Sequence, residues 1–121
     1  MNTIRGLKLD PRTLRPVLGP GQGGLSGPAL KPIALAAVAT CYRATAMPIV
    51  GMGGIRTGDD ALEFVAAGAQ HVAIGTALFS DPDAPARIRM ELHEASRRRG
   101  WKTYEDAYAA AHEEALSMRT T

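Results

Sequence analysis

Two short apolar runs, each ending near glycine and each followed by a helical pattern, constrain the fold of this chain most. The first run covers residues 47–52 (MPIVGM) and the second covers residues 71–75 (HVAIG). Both lack the polar and apolar alternation of a half-buried strand, and such runs are typical of strands buried on both faces. Because helical patterns alternate with them, the order predicts βα units, a parallel sheet and the α/β fold class.

Four helical segments surround these runs. Pro28 opens the first, since proline suits the first turn of a helix. Thr57 and Asp60 are spaced as a capping box for the second, and Gly68 is placed to end it. Thr103 is expected to cap the last. The predicted helices cover residues 29–45, 60–67, 84–99 and 104–117.

Two strands are too few for a parallel sheet with both faces buried, because both outer edges stay unpaired. A (β/α)8 barrel, also called a TIM barrel, typically needs about 250 residues. The sequence has 121 residues. We therefore expect residues 1–121 to form one unit that is part of such a barrel and incomplete as a barrel.

The first 28 residues are rich in turns. Nine glycines and prolines crowd into residues 11–28, and glycine at this density serves positive φ angles or close main-chain approach. Residues 7–9 and 16–18 are predicted to form two short arms of a ribbon.

Composition and charge exclude several classes of protein. Apolar residues make up 45% of the chain and charged residues 21%, which is ordinary globular composition. The net charge of +2 is too small to indicate nucleic-acid binding, and the run Arg97–Arg99 lies where basic side chains complement the end of a helix. We find neither a signal peptide nor the ~20 consecutive apolar residues of a membrane span, so a cytoplasmic protein is expected.

The single cysteine and the three histidines are predicted to be structural. Cys41 allows no internal disulfide. It falls on the apolar side of the first helix, where cysteine usually packs as a small buried hydrophobe. His71, His93 and His112 show no metal-ligand spacing and no triad partner, so no metal site is expected.

Three glycine clusters stand out, at residues 23–27 (GGLSG), 51–54 (GMGG) and 75–76 (GT). The last two follow the predicted strands directly, and ligands bind at the carboxyl ends of parallel strands. Glycine lets main-chain N–H groups approach phosphate oxygens, and Thr76 adds a hydroxyl donor. One such cluster alone favours a simple tight turn. Two clusters at equivalent ends of consecutive βα units favour a phosphate site.

The motifs resemble those of the dihydroorotate dehydrogenase family, and their order and spacing match the C-terminal part of its TIM barrel. The resemblance covers nearly the whole chain up to about Tyr104. The matching motifs are Asn2-Thr3, GGLSGPALKP at 23–32, PIVGMGGI at 48–55, DALE at 60–63, AGA at 67–69 and GTA at 75–77.

This resemblance implies FMN-dependent oxidation of dihydroorotate to orotate, the redox step of pyrimidine biosynthesis. Asn2 and Thr3 match the pair that binds the dihydroorotate or orotate ring. Gly27 matches a glycine whose main-chain amide contacts FMN. The positions that match those holding the FMN phosphate are Gly53, Gly54, Gly75 and Thr76.

No catalytic residue is assigned within this chain. The general base of the family is a Cys or Ser on a loop upstream of the position of Asn2, and the lysine beside the flavin is upstream as well. Cys41 does not replace that base, because it lies within a helix. Lys31 is expected to be solvated or paired with a carboxylate.

The forms GGLSGPA and GMGGI look most like the cytosolic NAD-linked type of the family, whose members pair with an iron–sulfur and FAD-containing electron-transfer subunit. The quinone-using type shares GGLSG. A homo-oligomer is also expected. Two alternatives stay open: another FMN-dependent barrel similar to dihydropyrimidine dehydrogenase, and an inactive half-barrel that acts as a phosphate-binding or assembly module.

Overall fold

The computed structural model describes residues 2–117. Four strands and four helices alternate with turns and short 3-10 helices. The strands are β1 (Ile4–Leu7), β2 (Gln22–Leu25), β3 (Val50–Met52) and β4 (His71–Ala73), and the helices are α1 (Lys31–Ala44), α2 (Gly58–Ala66), α3 (Ala84–Arg98) and α4 (Ala110–Ser117). The 3-10 helices are Pro28–Leu30, Thr76–Phe79 and Glu105–Ala107.

The strands form two separate pairs. β3 and β4 are parallel, with Val50 opposite His71 and Met52 opposite Ala73, which confirms the predicted parallel βα units. β1 and β2 are antiparallel, and a bridge between Leu9 and Pro16 continues the ladder toward the turn. The predicted ribbon is therefore confirmed, and its pairing extends further along the chain than predicted. Residues 2–117 do not close into a barrel.

Helix α2 lies at the centre of the hydrophobic core. Its buried residues include Leu62, Phe64 and Val65; the helix packs against α3 and β4, and Phe64 lies directly against Gly51 of β3. A Cβ atom on Gly58 would overlap the main chain of Glu91 and Leu92. Glycine at this position therefore lets the first turn of α2 contact α3 directly.

Both ends of α2 are stabilised as predicted. The Thr57 hydroxyl accepts a hydrogen bond from the Asp60 N–H at 3.1 Å, and the Asp60 carboxylate accepts one from the Thr57 N–H at 3.1 Å. Gly68 follows the last residues of the helix with φ 111°, a conformation in which glycine has no Cβ penalty.

The prediction that both strands are buried on both faces is wrong for the described chain. In β3 only Gly51 is buried, while Val50 is 55% exposed and Met52 is 40% exposed. The helices cover the Gly51 face of the sheet. No element among residues 2–117 covers the opposite face.

The prediction that Cys41 is buried is also wrong, because Cys41 is exposed. The buried residues of α1 are Ala34 and Val38. In the last turn of α1, Tyr42 and not Cys41 contacts the rest of the molecule. The Tyr42 ring lies against Gly68 and the imidazole of His112. The apolar stripe therefore ends one turn before Cys41.

The last predicted helix, 104–117, is interrupted. A 3-10 turn at Glu105–Ala107 is separated from α4 by Ala109, whose φ is 60°. The Ala109 N–H donates to the carbonyl of Val65 at 3.0 Å, and this contact with α2 fixes the break. Thr103 does not cap through its side chain. Its main-chain N–H instead donates to the Asp106 carboxylate at 3.0 Å.

Candidate functional site

A cavity of about 590 Å³ opens at the carboxyl ends of β3 and β4. Five segments line it: the chain before β1, the turn after β2, the loop after β3, the loop after β4 and the first turn of α3. All seven residues predicted for the site line this one cavity, namely Asn2, Thr3, Gly27, Gly53, Gly54, Gly75 and Thr76.

The register of the parallel pair brings the two glycine turns together. Met52 lies opposite Ala73, so both strands end at the same edge of the sheet. The chain leaves β3 through Gly53 and leaves β4 toward Gly75. This is the edge at which parallel α/β sheets bind ligands.

The glycines on the two loops are required for different reasons. Gly53 and Gly54 have φ angles of 132° and 74°, which favour glycine. A Cβ on Gly54 would lie 2.8 Å from the carbonyl oxygen of Gly27, so these two turns pack directly on each other. A Cβ on Gly75 would meet no atom within 4 Å beyond its own chain neighbours. The space beside Gly75 is therefore open.

The two N-terminal site residues are held beside the ribbon. The Asn2 side-chain oxygen accepts a hydrogen bond from the Thr3 N–H at 2.8 Å. A Cβ on Gly24 would overlap the Thr3 side chain, so Thr3 lies directly against β2. Both residues are exposed and line the cavity. Their amide and hydroxyl groups can donate and accept hydrogen bonds there.

Two of the three charged residues that line the cavity form an ion pair with each other. Arg87 contacts the Asp81 carboxylate at 2.8 Å and the Glu91 carboxylate at 2.7 Å. It also donates to the carbonyl of Arg56 at 3.2 Å. The hydrogen bond from Arg87, with a second from the Gly58 N–H, lowers the pKa of Glu91. This network ties the loop after β3, the loop after β4 and α3 together.

Lys31 is paired with carboxylates, which confirms one of the two roles expected for it. Its ammonium group lies 2.7 Å from Asp60 and 3.0 Å from Glu63. The hydrogen bond with Asp60 is the largest influence on the pKa of Lys31 and raises it. Lys31 thereby fastens the start of α1 to α2, behind the cavity.

The three histidines show no metal or triad arrangement. His71 is exposed on β4, and His93 lies edge to face with Tyr104 at 5.4 Å. His112 lies 2.8 Å from the carbonyl of Ala67 through its Nε2 atom. In the part of the chain that the structure describes, no group of three or more His, Cys, Asp or Glu side chains could hold a metal ion.

Several polar residues of the cavity were not predicted from the sequence. Arg56 follows the GGI motif directly, so the sequence already indicated that it lies in the glycine loop after β3 and close to the cavity. Asp81 and Arg87 lie on a separate segment, and only the folded chain brings them to Arg56. The other unpredicted residues of this kind are Ser26, Thr57 and Ser80.

A glycine-lined cavity at the carboxyl ends of parallel strands places this chain among α/β proteins built from βα units, the class in which that edge of the sheet commonly binds ligands. Comparison with known proteins then identifies the family. The family model described as dihydroorotate dehydrogenase matches residues 1–95, and the chain belongs to this family.

Curated relatives carry the same family name. The chain is 54% identical over 100 residues to a putative dihydroorotate dehydrogenase A (fumarate) from Solibacter usitatus, covering 83% of this chain and 33% of the relative. It is 46% identical over 112 residues to the catalytic subunit of dihydroorotate dehydrogenase B (NAD(+)) from Desulforamulus reducens, covering 93% and 37%. The chain thus spans about a third of the length of these relatives.

Solved structures of the family share the fold. The crystal structure of DHODH from Eimeria tenella in complex with ferulenol matches with a TM-score of 0.72 and 31% identity, covering 88% of this chain and 30% of that one. The ligand-free form from the same organism matches equally well. No helix among residues 2–117 is long and apolar enough to cross a membrane.

Proposed function

We propose that this chain supplies the FMN-phosphate site and part of the orotate site of an enzyme that oxidises dihydroorotate to orotate in pyrimidine biosynthesis. One observation carries the proposal. The seven residues that the family resemblance points to come from separate segments, of which Asn2 is the first residue and Thr76 the last. All seven line a single cavity. We also propose that residues 1–121 form the C-terminal part of one TIM barrel.

The cavity fits the phosphate end of FMN. Its volume of about 590 Å³ lies within the range of ~300–1,000 Å³ typical of small-molecule sites. The main-chain N–H groups of Gly53, Gly54 and Gly75 and the hydroxyl of Thr76 are the donors proposed for the phosphate, with Gly27 contacting FMN nearby. The open space beside Gly75 supports this role, because no side chain that the structure describes fills it.

When bound, FMN supplies the hydride-accepting chemistry, and the protein supplies orientation and electrostatics. Asn2 and Thr3 are proposed to orient the substrate, since an amide and a hydroxyl can pair with ring N–H groups, carbonyls and a carboxylate. The resemblance implies that the proton which dihydroorotate loses during its oxidation is taken by a base outside this sequence.

The relatives suggest an electron-transfer partner. Several of them are named catalytic subunits of the NAD(+)-linked enzyme, which implies a second subunit in those proteins. We propose that the protein to which this chain contributes pairs with a subunit of that kind, or with a second copy, and that it acts in the cytoplasm as the resemblance to the NAD-linked type implies.

A chimera tests the proposal. This chain replaces the matching third of the Solibacter usitatus relative, and flavin absorbance is measured after gel filtration together with dihydroorotate oxidation. We expect the chimera to retain FMN and to turn over. A well-folded chimera without flavin would show that this chain does not provide the FMN-phosphate site. A flavin-bound chimera that does not oxidise dihydroorotate would contradict the proposed substrate.

A further inference from the structure

One charged side chain in the lining of the cavity forms no ion pair of its own. Its charged residues are Arg56, Asp81 and Arg87. Arg87 pairs with Asp81 at 2.8 Å and with Glu91, which lies outside the lining, at 2.7 Å. The guanidinium of Arg56 forms no ion pair or hydrogen bond with the side chains and main chain that the structure describes. Arg56 is therefore the charged residue of the lining whose side chain is not engaged by another described residue.

The main chain of Arg56 is nonetheless fixed on both sides. Its N–H donates to the Asp60 carboxylate at 2.9 Å, and its carbonyl accepts from Arg87 at 3.2 Å. These two bonds come from α2 and α3, which pack against each other. The loop after β3 is thus held in place, while the Arg56 side chain stays exposed and uncommitted.

The carboxylates near this loop are already engaged. Asp60 accepts from Lys31 through one oxygen and from the main chain of Arg56 and Thr57 through the other. Glu91 accepts from Arg87 and from the Gly58 N–H. Arg56 therefore has no free carboxylate close by on these elements, and an exposed guanidinium in such a place is available to an anion from solution.

We propose that Arg56 is the side chain that neutralises the phosphate of the flavin nucleotide in this cavity, an inference that rests on the proposed function. The glycine turns offer only neutral main-chain donors, and a phosphate carries more than one negative charge at neutral pH. A guanidinium donates two parallel hydrogen bonds to phosphate oxygens, a geometry that an ammonium group cannot copy.

Binding of FMN and of riboflavin, which lacks the phosphate, tests this role. Kd is measured for both ligands by flavin fluorescence in the apo-chimera and in its Arg56→Gln and Arg56→Lys variants. Arg43→Gln is the matched control, since Arg43 is exposed at the end of α1 and outside the cavity.

We expect Arg56→Gln to weaken FMN binding about tenfold to a hundredfold and to leave riboflavin binding and the melting temperature unchanged. Arg56→Lys should recover part of the loss because it keeps the charge, and Arg43→Gln should change neither affinity. Added salt should weaken FMN binding more in the parent than in Arg56→Gln, because screening acts on the charge that the variant lacks.

Unchanged FMN affinity in Arg56→Gln would overturn the inference and leave the proposed function standing. Equal losses for FMN and riboflavin would also overturn it, because they would show that Arg56 only supports the loop. Failure of the unsubstituted chimera to bind FMN would remove the proposed function, and the inference with it.

Discussion

Gly53 and Gly75 occupy equivalent positions after neighbouring strands, yet their surroundings differ. At Gly53 the φ angle of 132° and the closeness of the Ala34 methyl already demand glycine for folding. At Gly75 a Cβ would meet no atom within 4 Å beyond its own chain neighbours. A substitution at Gly53 therefore changes both the fold and the cavity, whereas one at Gly75 affects mainly the space proposed for phosphate.

We therefore expect Gly75→Val in the chimera to abolish FMN retention and to change the melting temperature of the apo-protein little. The new side chain would occupy the space through which main-chain N–H groups reach the phosphate. Flavin absorbance after gel filtration and thermal unfolding measure the two effects. Gly53→Val should also lose FMN, but with a lower melting temperature. Full flavin content in Gly75→Val would place the phosphate elsewhere.

Substitution of Cys41, unlike substitution of Gly75, is expected to leave FMN binding unchanged. It is exposed on the last turn of α1 and away from the cavity, so Cys41→Ala should change stability by less than about 0.5 kcal/mol, as is usual for surface substitutions. FMN content and turnover of the chimera should stay as in the parent. A variant that kept its flavin and its melting temperature but lost turnover would identify Cys41 as a catalytic cysteine.

Individual residues could be predicted from the sequence where the cause of their placement is local. The capping box of Thr57 and Asp60 spans a single turn, and its residue types specify their own hydrogen bonds. The exposure of Cys41 could not be predicted in this way. Helical periodicity gives the direction of a side chain, but not the point at which the neighbouring element ends.

At the scale of secondary-structure elements, Asp60 joins three of them. It caps α2, holds the loop after β3 and pairs with Lys31 of α1. Burial alone would raise the pKa of Asp60, but the hydrogen bonds from Lys31 and from the Arg56 N–H bring it below its ordinary value of 3.8. A carboxylate with a lowered pKa in the folded state stabilises the protein above its ordinary pKa and loses that effect as the pH falls below it.

Asp60→Asn should therefore lower the stability of the chimera at neutral pH by about 1 kcal/mol, because the amide removes the charge that pairs with Lys31 and weakens the hydrogen bonds that the carboxylate accepts. The difference from the parent should shrink as the pH falls below 3.8. Thermal unfolding across this pH range measures it. Asp83→Asn is the control, because the Asp83 side chain is exposed and makes no hydrogen bond with the groups that the structure describes. A difference that stayed constant with pH would mean that Asp60 acts through packing alone.

The element order and the parallel pairing could be predicted because helical and apolar patterns alternate along the chain. The break before α4 could not, since Ala109 takes a positive φ only through its hydrogen bond to Val65 on another helix. The same limit applies to the site. The glycine turns follow their strands directly, whereas the network of Arg87 joins segments that meet only in the folded protein.

At the scale of the whole molecule, the uncovered face of the parallel pair is the main departure from the sequence expectation. Val50 and Met52 are large apolar residues that point away from the helical layer and stay exposed. Buried apolar runs predict two covered faces, but they do not say which polypeptide segment covers them. In the proposed barrel, strands from outside this sequence enclose this face and complete the flavin pocket.

We therefore expect the isolated 121-residue chain not to oxidise dihydroorotate at an enzymatic rate. The general base implied by the family resemblance is absent from the sequence, and such groups typically contribute ~10²–10⁴-fold to the rate. In the proposed barrel, part of the flavin pocket comes from outside this sequence, so FMN should be held weakly by the isolated chain. Dihydroorotate oxidation by the homogeneous chain is measured with and without added FMN and compared with the chimera. Turnover that depends on added FMN would show that the chain contains a base of its own and that its cavity is already sufficient for catalysis.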